Sequence, residues 1–496
     1  MRGSKMIVVV TVVLLLVGGV ASAREIHVDD DAAPKGKGSA ARPLRSIVAA
    51  LAVARSGDTI RVAAGRYRET LVLRRIKDLK LLGGYAPGFV SRDAKRYASR
   101  LVGDAKDAVV TILHAGKVRV EGFVISGGGG SGQDAPHYVN GGGVYVRGGQ
   151  VTLRRNVVER NATSRGPAAA ERAGGGIFAT GGKITIVDNV VRHNVSRRGG
   201  GIAVIEAKTA LIEGNRIEAN RSDGDHGGGI YLAESKATVR RNVIVGNEVG
   251  RKLNYGWGGG VLISGKRAKV LLAHNTLRDN FAVSLGSGIY IDDEADATLQ
   301  DELIVANRCS QDGGSAVYVD GLDKKRGSKA RLLHCTVVNH PCKGLRGGEG
   351  VRVEQGSSVV VQRSVFWNNG DDFSKDKSSR LRVEDTLSRD SDAASAVRGK
   401  PTFVAAARGD YRLKAPAAAA GWGVRWGPTS STTLTLPKKP ALEGARPAER
   451  AKKVKASAPS PSAKEDCSIG GRGVAGSFAL LLLLLMGRLR RMARQV

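Results

Sequence analysis

The chain has 496 residues, 78 of them Lys or Arg against 46 Asp or Glu, for a formal charge of +32 at neutral pH. Four cysteines are too few for a disulfide framework. An aromatic content of 4 %, without any recognisable nucleic-acid module, argues against a specific DNA or RNA reader. The charge draws polyanions such as acidic polysaccharide, lipopolysaccharide or extracellular DNA, or else reflects arginine scattered over a large surface.

Residues 1–23 have the layout of a secretory signal. Arg2 and Lys5 precede an apolar stretch from Met6 to Val17, and Ala21-Ser22-Ala23 is a small-residue cleavage motif. Cleavage is expected after Ala23. Pro43 to Ala54 patterns as a short amphipathic helix, followed by the strand-like GDTIRVAAGRYRETLVL. A helix there would cover the first open edge of whatever sheet follows.

Eight copies of one phrase lie between Gly141 and Asn369, the clearest being GGGIYLAESKATVRRNVIVGN from Gly227 to Asn247. Each has a glycine cluster, two β-rich runs and two polar positions five residues apart: Asn156/Asn161, Asn189/Asn194, Asn215/Asn220, Asn242/Asn247, Asn275/Asn280, then Glu302/Asn307, Cys335/His340 and Ser364/Asn369. Alternation such as Val151, Leu153, Val157 or Ile184, Ile186, Val190 implies short strands. Three strands per repeat predict one coil of an all-β, right-handed parallel β-helix of about ten to twelve coils with an N-terminal capping helix. Asparagine at the corners would tolerate left-handed backbone and stack its amide on the next coil. Glycine at the third corner would allow positive φ and close approach. The pattern extends weakly to Gly122/Gly127 and to Asp385/Asp390, set in the asparagine positions.

The stretch SIVAALAVARSGDTIRVAAGRYRE resembles the N-terminal start of the pectate-lyase-like right-handed β-helix superfamily, and the GGGIYL repeats resemble its repeat domain. Gly399 to Gly423 resembles the closing segment of bacterial surface members. The resemblance covers roughly residues 24–425, within an expected β-helix domain of residues 24–426, and implies the fold well but the activity poorly, since the superfamily holds lyases, hydrolases and epimerases besides members without known activity.

Insertions gather at one corner, after the second asparagine: Gly129–Asn140, Ala162–Ala173, Arg221–His226, Glu248–Gly256, Phe281–Leu285 and Pro341–Arg346. Loops on a rigid scaffold are where function concentrates. In VGRKLNYGWG, Arg251 and Lys252 supply cations for a carboxylate, and Tyr255 and Trp257 supply flat faces for sugar rings. His137 and Tyr138 lie in another loop of this edge. The alternative is that these aromatics pack the loop onto the coil. Asp223, Asp225 and His226 are the candidate acid/base cluster, although DGDH is also ordinary turn chemistry. Asp292, Asp293, Glu294 and Asp296 would hold Ca²⁺ only if the protein were a lyase; no cofactor is otherwise implied. Glu206 and Glu234 stack on successive coils, but Gly265 ends that column.

Cys309 and Cys342 each lie two residues after a second ladder position, so on adjacent coils they should sit about 5 Å apart and form a disulfide. Cys335 takes a ladder position and points inward. In HCTVVNHPC (His334 to Cys342), alternation separates the side chains, which argues against zinc. Three sequons, at Asn161, Asn194 and Asn220, coincide with ladder positions, so glycosylation is not expected.

Residues 427–466, rich in Pro, Ala, Ser and Lys, form a linker. Cys467, the apolar run Val474 to Met486 and RLRRMAR follow. Thirteen apolar residues span about 20 Å as a helix, short of a bilayer core of about 30 Å. The layout of residues 467–496 resembles the myxobacterial C-terminal sorting signal (MYXO-CTERM), with Arg472 as a departure. That resemblance implies processing and attachment at Cys467 on the outer membrane of a myxobacteria-like Gram-negative cell; the alternative is a plain tail anchor. Losing both end segments' charges leaves the mature chain at +25.

Two functions fit: a monomeric, surface-displayed β-helix that binds acidic polysaccharide or another envelope polyanion without catalysis, or a carbohydrate-active enzyme, lyase-like or a glycoside hydrolase, on an acidic glycan. The regular coils lack a dense acid, base and metal constellation, which favours the first.

Overall fold

The computed structural model describes residues 23–131, 140–163, 172–253, 255–310, 315–340, 349–389, 396–414 and 421–426. The expectations for the signal sequence through residue 22, Tyr138, Cys342, the linker and Cys467 lie outside these residues.

Three parallel sheets of 13, 11 and 13 strands wind around one apolar core. In one coil the strands are Ile230–Ala233, Lys236–Arg240 and Val243–Val245, and each pairs in register with its counterpart in the next coil. Ile230, Leu232, Val239 and Ile244 point inward and are fully buried. The first face follows the glycine cluster, the second follows the variable corner, and the third lies between the two ladder residues. On the third face the phase differs from expectation. Val158 and Val191 point inward, while Val157 and Val190 are half-buried, because the tight turn at the ladder residue resets the alternation.

The amide ladder forms at full depth. Asn242 is 1 % exposed. Its backbone N–H and Nδ2 both donate to Asn275 Oδ1 at 2.9 Å, and Nδ2 also donates to the Ile212 carbonyl at 2.9 Å. Asn161, Asn194 and Asn220 sit in the second such ladder, equally buried. One expectation is corrected. The left-handed residue is the one before each asparagine: Arg241 has φ +54° and Asp279 +55°. Gly122, Gly127 and Asp385 occupy this preceding position too, and Phe123, Gly128 and Thr386 take the ladder places. The asparagine itself does not take positive φ; its backbone N–H donates to the amide of the next coil, and the left-handed turn falls on its neighbour. At the third corner Gly227 has φ +57°, and a Cβ on Gly228 would lie 2.5 Å from the Gly259 carbonyl oxygen. Only glycine permits that approach.

The helix spans Ile47–Val53, with Ser46 as its N-cap. The Glu69 carboxylate accepts from the Ile47 and Val48 N–H groups at 3.1 and 2.8 Å. Ile47 and Ala50 enter the core and close its first end. The segment that follows the last coil lies against the third face. Strands Phe403–Ala405 and Asp410–Leu413 form a hairpin, and residues 421–426 run back along the outside of the third face. Arg425 pairs with Asp301 at 2.8 and 2.9 Å, Trp426 Nε1 donates to the Asp301 carbonyl, and Val424 packs with Leu303, Val305 and Val338.

The insertions at the second corner were expected as loops. Three of them, through Arg221–His226, Glu248–Val249 and Phe281–Ala282, instead join Val195–Arg198 and Arg308–Cys309 in a short parallel sheet. Coils that leave the ladder in register keep pairing for a few residues further. Cys335 is buried and free; Cys309 is disulfide-bonded, its partner lying outside the described residues. Among the described residues no helix is long and apolar enough to cross a membrane.

Candidate functional site

The fourth sheet puts most of the predicted site residues on one patch, and it also pairs their charges. Asp225 is 4 % exposed, with Arg198 Nε at 3.4 Å and His226 Nδ1 at 2.6 Å. Burial alone would raise its pKa, but the His226 ring and the Arg198 guanidinium outweigh burial and hold it well below the ordinary carboxylate range. Asp223, facing outward, accepts from Arg221 Nε at 2.6 Å and meets Lys252 Nζ at 2.5 Å. Arg251 grips Glu248 with two bonds of 2.7 and 3.0 Å, its guanidinium 4.2 Å above the Phe281 ring. Both cations expected to hold a ligand carboxylate are thus engaged by acids of the protein.

The aromatic residues are less committed. Trp257 joins the backbone of His226 on one side and Leu285 on the other. Its ring lies 5.5 Å from His226, 5.6 Å from Tyr255 and 6.3 Å from Tyr290. Trp257 is half-buried against the coil, and Tyr255 stands exposed above it. Glu206 and Glu234, whose column stops at Gly265, are closed by Arg267, which reaches both at 2.8 and 3.1 Å.

Two columns on the first face escaped the sequence reading. Tyr145, Phe178, Tyr231, Tyr290 and Tyr318 occupy one outward register position. Tyr145 stacks on Phe178 at 5.4 Å, and Tyr290 on Tyr318 at 5.5 Å. The signal was present in GVYV, GIFA, GIYL, GIYI and AVYV, where an aromatic stands at the position alternation reserves for a polar residue. Beside this column Asp292 follows Ser264 in register, and Asp320 and Glu354 continue it on later coils. The Tyr290 hydroxyl donates to Asp320 Oδ2 at 3.1 Å, Tyr318 donates to Glu354, and Ser264 donates to Asp293 at 2.8 Å. Burial pushes Asp320 up to about 6. Burial, then the charges of Asp293 and Asp320, raise Asp292 well above the carboxylate range. The acids of DDEAD therefore separate, since Asp296 opens a strand of the second face. The carboxylates close enough to share a cation among the described residues are Asp29, Asp30 and Asp31, on a partly exposed turn at the first coil.

The sequence matches the family described as right handed beta helix region over residues 110–286 and 259–399. No curated protein matches at a significant level. Among solved structures, the pectate lyase Pel9A is similar over 85 % of this chain and 91 % of its own, at 13 % identity and a TM-score of 0.40. XylC in complex with xylose gives 77 and 87 %, 10 % identity and 0.38. A pectin methylesterase in complex with a hexasaccharide gives 82 and 96 %, 13 % identity and 0.26. Likeness of this degree carries no inference about chemistry.

Proposed function

This chain belongs to the right-handed β-helix family, and on that premise we propose that it is a non-catalytic, surface-displayed protein that binds acidic polysaccharide or a related envelope polyanion. The observation that carries the reading is the state of the Asp223–His226 cluster. Both carboxylates are already paired with cations, and the Asp225 carboxyl is held too acidic to take up a proton near neutral pH. What remains at that patch is the exposed ring of Tyr255 beside Trp257, a surface suited to stacking against a sugar. The signal-like residues 1–23, with cleavage after Ala23, and the tail beginning at Cys467 support export and attachment to the outer membrane of a myxobacteria-like cell.

A second reading is a carbohydrate-active enzyme whose acid lies on the first face. Asp292 and Asp320 are carboxyls with raised pKa beside a tyrosine hydroxyl, the condition a general acid needs. One assay separates the two. Incubate the protein with uronate polymers and Ca²⁺, follow the absorbance of unsaturated products and the release of reducing ends, and measure binding on a glycan array in parallel. Binding lost in Tyr255→Ala or Trp257→Ala without turnover supports the first reading. Turnover abolished by Asp320→Asn overturns it.

A further inference from the structure

The second face carries a line of charge that neither candidate patch uses. The outward residue opening each of its strands, from Lys117 to Arg380, reads Lys, Gln, Lys, Thr, Lys, Lys, Asp, Lys, Ser, Arg on ten successive coils. Lys117, Lys183, Lys236, Lys269, Lys329 and Arg380 are all exposed, and none is ion-paired with a described residue. This contrasts with Arg251 and Lys252, each of which has an acid partner. Asp296 is the single acid in the line.

We infer that this column is a docking rail for one linear acidic polysaccharide lying along the axis of the solenoid. The inference rests on the acidic-glycan reading above and names the surface that carries it. Coils repeat about every 4.8 Å, so nine steps separate the ends of the line by about 43 Å, with the cations mostly two coils apart. A rigid sheet fixes that spacing before any ligand arrives, so the chain pays little ordering entropy to present it. The matching polymer is extended and bears a carboxylate or sulfate once per sugar or per disaccharide. Single-stranded nucleic acid fits poorly. Its phosphates recur at a different interval, and the neighbouring outward column, from Arg119 through Thr152, Thr185, Thr238 and Thr298 to Arg382, holds no aromatic ring for bases to stack on.

The test compares the full chain with a variant combining Lys117→Gln, Lys183→Gln, Lys236→Gln, Lys269→Gln and Lys329→Gln, with the same five changed to Arg, and with Tyr255→Ala. The probes are polygalacturonate, its oligomers of increasing length, and single-stranded DNA of equal charge. The rail requires a roughly tenfold or greater loss of polygalacturonate affinity in the Gln set, with a shallower salt dependence. It also requires retained binding in the Arg set, and affinity that climbs with oligomer length until the line is spanned. If the Gln set binds like wild type while Tyr255→Ala does not, the rail is wrong and the glycan reading survives. If wild type ignores polygalacturonate, both fail. If DNA binds as tightly through the same lysines, the assigned occupant is wrong.

Discussion

Replacing His340 by Asn tests how the ladder tolerates an ionisable rung. His340 is 1 % exposed. Its Nδ1 lies 2.9 Å from Asn369 Oδ1 and its Nε2 lies 3.2 Å from Asn307 Nδ2. The first contact requires a donor and the second an acceptor, so the ring is the neutral Nδ1–H tautomer. Burial, partly opposed by the Asn369 bond, pushes its pKa down to about 4 from 6.5. The sign follows directly. Below 6.5 the unfolded chain takes up a proton that the folded ring refuses until about pH 4. Stability is therefore complete above pH 6.5 and falls as pH drops toward 4. At 1.36 kcal/mol per pKa unit, the loss between pH 7.5 and 4.5 from this ring alone is about 2.5 kcal/mol. His340→Asn restores the ladder's usual residue and removes the titration. Urea unfolding at the two pH values should show wild type losing about 2.5 kcal/mol more than the variant. Equal losses in both proteins would refute the buried neutral ring.

Three further changes probe the same scaffold. Glu302 replaces an asparagine, with Oε1 accepting from Asn275 at 2.9 and 3.2 Å and Oε2 buried without a partner; burial raises its pKa well above 4.5. The folded state keeps a proton that the unfolded state releases, so wild-type stability declines as pH rises past 4.5. Glu302→Gln should stabilise by about 1–3 kcal/mol at pH 8 and by nothing at pH 3.5, and an unchanged urea midpoint at pH 8 would contradict this. Asp320→Asn should gain stability between pH 4 and 6, reaching about 2–3 kcal/mol above that window, because the native carboxyl is pushed up to about 6. A thermal melt whose gain does not depend on pH would count against it. Gly228→Ala drives a Cβ to 2.5 Å from a backbone oxygen of the next coil and should cost about 1–3 kcal/mol, read as a lower urea midpoint.

The repeat made most of the fold legible, because each coil is closed by local chemistry: glycines at one corner, amides five residues apart at the others, alternation between them. That local code also placed Asn161, Asn194 and Asn220 in the interior. It misassigned the left-handed residue because a five-residue spacing fits the asparagine or its neighbour equally well. Only the backbone path shows Arg241, and not Asn242, in the left-handed conformation. The candidate site was legible as a location but not as a charge state. Asp223 meets Lys252 from the following coil, and Asp225 meets Arg198 from the preceding one. A one-coil offset is about 4.8 Å in space but here 27 to 29 residues in sequence, with insertions of unequal length between. The acids Asp292 and Asp320 came together for the same reason, and the return of residues 421–426 to Asp301 spans more than a hundred residues that no periodicity links. Sequence by itself determined the coil and the ladders, since each is written at a fixed register, whereas the line of lysines emerged only once the strands were paired. Tertiary structure decided which of the charges remain unpaired, because pairing depends on what the next coil sets beside them.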